Sequence, residues 1–125
     1  MNTILGDRIQ GADWKKEKHV PVIDCPDQVK AGEAFEVKVG VGKEITHPNT
    51  VEHHIRWISL YFHPEGDKFT YDLGRFEFNA HGEGAAYINY TAATMLKLDK
   101  PGTLHALAYC NIHGLWESSK EISLD

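Results

Sequence analysis

Side chains that can bind a metal are concentrated in three short segments of this chain. The segments are 15–19 (KKEKH), 47–54 (HPNTVEHH) and 110–113 (CNIH). Each lies beside a Pro-, Asn- or Gly-containing loop, where a rigid scaffold can present functional groups. Eight histidines share the 125 residues. One surface histidine needs no explanation, but three such segments in one small chain predict a metal site.

The donor types limit the metals that such a site could bind. Imidazole suits iron, copper, zinc and nickel, and a thiolate adds a soft ligand. An iron–sulfur cluster usually requires four thiolates, whereas the chain has only Cys25 and Cys110. A calcium or magnesium site would require clustered carboxylates. The pattern therefore predicts a transition metal and does not choose among iron, copper, zinc and nickel.

The segments that would position these side chains are typical of β-strands. Apolar and polar residues alternate over 35–41, 76–80 and 104–110, and 55–62 is apolar on both faces, as in a strand covered on both sides. Weaker candidates are 87–90, 95–98 and 121–124. Turn residues at 63–67 and 99–102 separate these runs. About seven short strands with frequent turns predict an all-β, antiparallel sandwich of immunoglobulin type.

Length and composition point to a single domain spanning 1–125. The formal net charge of −5 argues against a protein that binds nucleic acid through its phosphates. No apolar run approaches the roughly 20 residues that would cross a bilayer. The first ten residues lack the basic and apolar regions of a signal peptide. With two cysteines and no leader, we expect a cytoplasmic protein without a membrane partner.

Three longer strings resemble the superoxide reductase family, which includes neelaredoxin and the catalytic domain of desulfoferrodoxin. They are DWKKEKHVPVI at 13–23, VGKEITHPNTVEHHI at 41–55 and YCNIHGLWE at 109–117. Their order along the chain makes the resemblance specific, and it leaves 1–12 as an N-terminal extension. The chain lacks the four-cysteine domain of desulfoferrodoxins, so the resemblance implies the form with one iron.

The resemblance implies a mononuclear iron that cycles between Fe²⁺ and Fe³⁺. Four equatorial imidazoles and one axial thiolate would bind it, and by motif these ligands are His19, His47, His53, His113 and Cys110. The remaining histidines have no ligand role in the pattern: His54, His63, His81 and His105. Adjacent strand residues point to opposite faces, which argues against His53 and His54 binding one metal together.

The same resemblance assigns roles to two charged residues beside His19. Glu17 would be the sixth ligand of the oxidised iron, and Lys18 would attract the anionic substrate and assist the bound product. Without the resemblance, the run KKEK at 15–18 would be interpreted as a solvated charged surface.

The implied activity is the one-electron reduction of superoxide to hydrogen peroxide, with the iron re-reduced by an external, rubredoxin-like donor. The family also implies a homo-oligomer, either a tetramer or a dimer. The main competing interpretation is a cupredoxin-like electron carrier, although no methionine follows His113 as that class usually requires. A β-sandwich with a structural zinc ion and a superoxide dismutase are two further candidates.

Overall fold

The computed structural model describes residues 3–125, and nearly all of its regular structure is β-strand. Its strands are β1 (Gln10–Gly11), β2 (Val22–Asp24), β3 (Gln28–Val29), β4 (Phe35–Gly40), β5 (Ile55–Pro64), β6 (Tyr71–Glu77), β7 (Thr91–Leu96), β8 (Gly102–Cys110) and β9 (Gly114–Leu124). Short 3-10 helices cover Leu5–Arg8 and Glu83–Ala85. No helix among the described residues is long and apolar enough to cross a membrane. Residues 1 and 2 of the predicted extension lie outside the described range.

The strands form two sheets that pack against each other. The larger sheet has the order β1-β9-β8-β5-β6, with β3 also paired to β9, and the smaller has the order β2-β4-β7. The long neighbouring strands are all antiparallel, and the two-residue strands β1 and β3 pair with β9 in parallel. This architecture confirms the predicted all-β antiparallel sandwich.

The core lies between the inward faces of the two sheets. Along β4 the buried residues Phe35, Val37 and Val39 alternate with exposed Glu36 and Lys38, as expected for a strand with one covered face. Opposite them lie fully buried side chains of the larger sheet. Each large apolar side chain buried in this way stabilises the fold by roughly 1.5–3 kcal/mol. The innermost members of the larger sheet are Ile55, Ile58, Leu60, Leu104, Ala106, Ala108 and Ile122.

Two predicted strand boundaries are wrong in the larger sheet, and each error has a physical reason. The strand predicted at 76–80 is β6, which starts at Tyr71 and ends before the buried Phe78. Its first half is exposed on both faces, so no alternation of buried and exposed residues marks it. The strand predicted at 121–124 is the end of β9, which starts at Gly114. Polar residues over 117–121 hide its length in the sequence.

The stretch 82–93 is the part that the sequence predicted least well. No strand covers 87–90, where Tyr87 forms only an isolated bridge with His81. The 3-10 helix precedes it, and β7 begins at Thr91, four residues before the strand predicted at 95–98. Turns of this kind have no periodic apolar pattern to reveal them.

Strand pairing brings the three histidine-bearing segments to one end of the sandwich. Val22, close after the first segment, pairs with Gly40 at the end of β4. Ile55, directly after the second segment, pairs with Cys110 at the end of β8. Cys110 in turn pairs with Gly114 across the β8–β9 turn. The segments are distant in sequence, and the registers of the sheets place them side by side.

Candidate metal centre

Four imidazole rings form a nearly square arrangement at this end of the molecule. Successive ring centroids are 4.9 Å apart for His19–His47, 4.6 Å for His47–His53, 5.0 Å for His53–His113 and 4.7 Å for His113–His19. The His19–His53 diagonal is longer, at 6.2 Å. Neighbouring rings are inclined by 61–76°. Four rings in this arrangement surround a common centre.

The thiol of Cys110 completes the cluster. Its Sγ and one ring nitrogen each of His19, His47 and His53 all lie within 4.8 Å of one another. His113 lies in the tight turn after β8, where its Nδ1 is 3.7 Å from this Sγ and 3.1 Å from His19 Nε2. The backbone N–H of His113 also points at the sulfur, 3.4 Å away. The structure therefore brings all five predicted ligands together.

Hydrogen bonds on the outer sides of the rings select which nitrogen faces the centre. His47 Nδ1 donates to the Pro48 carbonyl at 2.7 Å, and His19 Nδ1 donates to a Glu17 carboxylate oxygen at 2.6 Å. This leaves the Nε2 lone pairs of both rings directed inward. The Nε2 atoms of His47 and His53 are buried and have no hydrogen-bond partner among the described residues.

These unpartnered nitrogens are the test of whether a metal fits. Buried polar atoms normally find a partner, and two that lack one in the same cavity call for an additional group. Inward lone pairs from imidazoles beside a thiol form a donor set suited to a transition metal. Outer-side hydrogen bonds to a carbonyl and a carboxylate are the usual way in which metal-binding histidines are oriented. The residues present therefore fit a metal ion.

Burial favours the neutral form of His47 and His53, which is the form in which an imidazole binds a metal. Burial lowers the pKa of His47 to about 4, against a smaller opposing effect of its bond to Pro48. Burial also lowers the pKa of His53, and the neighbouring imidazoles His113 and His19 add to the effect. A histidine that stays neutral needs to lose no proton before it binds a metal.

Glu17 and Lys18 lie beside the cluster in different ways. The Glu17 carboxylate accepts from both the ring and the backbone N–H of His19, at 2.6 and 3.1 Å. Burial opposes ionisation of Glu17, but these bonds outweigh it and lower its pKa. In this conformation the carboxylate thus lies on the Nδ1 side of His19, opposite the inward Nε2. The Lys18 charge is close enough to help lower the pKa of His47 and His53.

Sequence reasoning did not assign roles to three neighbours of the cluster. The Trp116 ring stacks on His19 with centroids 4.9 Å apart, and its Nε1–H donates to the His113 carbonyl at 3.1 Å. Tyr90 donates through its hydroxyl to the Pro48 carbonyl at 2.9 Å. Asn111 accepts from the His54 N–H and donates to the Glu52 carbonyl. Only Trp116 could have been suspected from the sequence, because it follows His113 by three residues.

The four histidines without a predicted ligand role all lie away from the ring of imidazoles. His54 points away from His53 and stacks on His81 instead, with ring centroids 3.9 Å apart. His63 bonds to Thr70, and His105 lies on β8 with a pKa lowered by burial. His53 and His54 both precede β5, and of the two only His53 belongs to the ring of imidazoles.

Comparison with known proteins agrees with this geometry. The desulfoferrodoxin family model matches residues 11–119. Neelaredoxin from Megalodesulfovibrio gigas is 58% identical over 125 residues, covering 94% of this chain and 96% of that protein. Superoxide reductase from Pyrococcus furiosus is 52% identical, covering 98% and 100%.

A solved structure extends the similarity to three dimensions. The reduced superoxide reductase (neelaredoxin) from Archaeoglobus fulgidus has a TM-score of 0.85 and 53% identity, and the match covers 93% of this chain and 98% of that chain. Sequence and structure agree over nearly the full described length. The chain therefore belongs to the desulfoferrodoxin family, together with proteins named superoxide reductase and neelaredoxin.

Proposed function

We propose that this protein is a superoxide reductase, in which superoxide takes up one electron and two protons and leaves as hydrogen peroxide. The observation that carries the proposal is the ring of four imidazoles beside one buried thiol. Relatives that are 52% and 50% identical to this chain are named superoxide reductase. The chain is thus an oxidoreductase that acts on superoxide.

Mononuclear iron is the metal that we assign to the site. When bound, it would supply the transferred electron, a net positive charge and an open coordination position. His19, His47 and His53 would bind it through Nε2, His113 through Nδ1 and Cys110 through its thiolate. A thiolate ligand would donate electron density to the metal, as it does in haem proteins. Cys110 is fully buried, so water does not compete for its sulfur.

Lys18 would attract the anionic substrate towards this end of the molecule. Steering depends on the charge near the site, so a local lysine can act in a chain whose net charge is −5. Glu17 is proposed as the sixth ligand of oxidised iron. From its position on the Nδ1 side of His19, its carboxylate would have to leave both hydrogen bonds to that residue.

The proposal extends to the partners of the protein. A rubredoxin-like donor, proposed from the family resemblance, would return the electron. A homo-oligomer, either a dimer or a tetramer, and a cytoplasmic location are proposed from the family resemblance alone. The whole of 1–125 would act as one iron-binding domain, with 1–12 as its extension.

Product stoichiometry is the experiment that tests the activity. The reduced, iron-loaded protein is mixed with superoxide, and hydrogen peroxide and oxygen are measured together. A reductase forms one peroxide for each superoxide and releases no oxygen. One peroxide for every two superoxides, with release of oxygen, would identify a dismutase. A protein that binds copper or zinc in preference to iron and does not react would contradict the proposal.

A further inference from the structure

His81 is a buried histidine outside the cluster of candidate metal ligands, with only 4% of its surface exposed. Its Nε2–H donates to the carbonyl of Phe78 at 2.7 Å, and its Nδ1 lies 2.7 Å from the side-chain oxygen of Asn49. Its backbone N–H donates to the Glu83 carboxylate at 2.6 Å. A ring with contacts at both nitrogens has one orientation available to it.

The amide of Asn49 is fixed between two parts of the segment 78–90. Its Nδ2–H donates to the Ile88 carbonyl at 2.8 Å, which directs its oxygen to His81. The segment is closed by its own backbone bonds, since Ile88 N–H donates to Ala80 and Gly82 N–H donates to Ala86. Asn49 therefore joins the loop 47–54 to a compact, internally bonded support.

This loop carries two of the five proposed ligands, His47 and His53. A second contact reaches it from the same support, because the His81 ring stacks on His54 at 3.9 Å and 10°. His54 in turn lies 3.0 Å, through Nδ1, from the Thr50 carbonyl. His81 thus contacts the loop at two points without touching a proposed ligand.

The protonation of His81 affects only one of its bonds. Donation from Nε2 to the Phe78 carbonyl needs the single proton of a neutral ring. Donation from Nδ1 to the Asn49 side-chain oxygen needs a second proton on the same ring. Burial lowers the pKa of His81, the Phe78 carbonyl and the Glu83 carboxylate raise it, and His54 and Arg56 lower it further. The stack on His54 requires neither proton.

We propose that His81 is a positioning residue for the metal site, acting through Asn49 and His54 to hold the loop 47–54 in its metal-binding conformation. The inference rests on the proposed function, because it takes the cluster to be a metal site. It also assigns a purpose to the segment 78–90, which is to support the loop. Residues that orient metal ligands from behind typically change metal affinity about 10- to 100-fold when they are replaced.

The test measures Co²⁺ binding to the metal-free protein, with a competing chelator and the thiolate absorption band as readouts. His81→Phe keeps an aromatic ring to stack on His54 and removes both polar contacts of the ring, to Phe78 and to Asn49. Asn49→Ala removes the other partner at a half-buried position, so it reports on the same contact if the His81 variant fails to fold. We expect each to weaken Co²⁺ binding about 10-fold or more and to alter the band. The control is His63→Phe, a histidine away from the site.

A double variant separates positioning from general destabilisation. If His81 acts through Asn49, the double variant binds Co²⁺ about as weakly as each single variant. Additive losses, or losses seen only in the melting temperature, would overturn the proposal. Affinity within about twofold of the unchanged protein in both single variants would also overturn it. If the unchanged protein binds no Co²⁺ with a thiolate band, the proposed function fails, and the positioning role fails with it.

Discussion

At the scale of single residues, the two cysteines occupy contrasting environments. Cys110 is fully buried among the imidazoles, whereas Cys25 is half-buried beside Lys120, which donates to its carbonyl. Burial raises the pKa of Cys25, so its thiol stays protonated at neutral pH. The two side chains are chemically identical, and their surroundings place only Cys110 among candidate metal ligands.

Replacement of Cys110 by serine tests its role as a ligand. In the metal-loaded protein, Cys110→Ser should abolish the visible band that arises from charge transfer between thiolate and metal. Cys25→Ser is the matched control and should leave the spectrum unchanged. An unchanged spectrum in Cys110→Ser would remove this residue from the ligand set.

Lys18 offers a second prediction at this scale. Lys18→Ala should slow association with superoxide several-fold at low ionic strength, because steering by a nearby charge acts on the rate of encounter. Bound metal should stay at the level of the unchanged protein, since Lys18 contributes no ligand. Stopped-flow traces recorded at increasing salt give the measurement, and Lys16→Ala is the control. Equal rates for the two variants would contradict the steering role.

At the scale of elements, β5 and β8 approach closely at the end of the pair opposite to Ile55 and Cys110. Gly102 begins β8 opposite Pro64. A side-chain carbon at Gly102 would overlap the His63 carbonyl and lie 2.7 Å from the Phe62 ring. This contact involves backbone and a buried ring, so neither can move away easily.

We therefore expect Gly102→Ala to lower the free energy of unfolding by about 1–3 kcal/mol, the usual range for overpacking. Gly74→Ala in β6 is the control, since a carbon added there meets no atom within 4 Å. Urea unfolding of the metal-free protein measures both. A Gly102→Ala variant as stable as Gly74→Ala would contradict the close approach.

The elements also explain how much of the molecule the sequence could predict. The ligand segments are local motifs, so their resemblance to a known family predicted His19, His47, His53, Cys110 and His113 as ligands, and the fold brings these side chains together. The core strands β4 and β8 have one covered face and alternate clearly. Asn49 and His81 lie 32 residues apart and meet only through tertiary contacts. No local pattern marks such a pair, so the support of the loop could not be predicted.

At the scale of the whole molecule, buried neutral histidines make the metal-free protein sensitive to acid. The pKa of His47 falls from the ordinary value of 6.5 to about 4 on folding, and those of His53, His81 and His105 shift in the same direction. The unfolded chain therefore binds more protons than the native protein between these values. The stability that neutral His47 contributes is fully present above pH 6.5 and is lost as the pH falls towards 4.

His47 alone would account for a loss on the order of 3 kcal/mol over that range. Thermal or urea unfolding of the metal-free protein at several pH values measures the loss. His47→Gln should flatten the dependence, whereas His63→Gln should leave it as in the unchanged protein. If the free energy of unfolding depends on pH equally in the two variants, His47 is not the source of that dependence.

The square of imidazoles also bears on how the chain is held together. His19 and His113 are adjacent in space and 94 positions apart in sequence. An ion bound by both would act as a cross-link that closes most of the chain into one loop. For a covalent bridge over such a loop, the lost freedom of the unfolded chain stabilises the fold by about 5 kcal/mol. The ion that serves redox chemistry would then also stabilise the fold as a cross-link, and its removal would lower the free energy of unfolding.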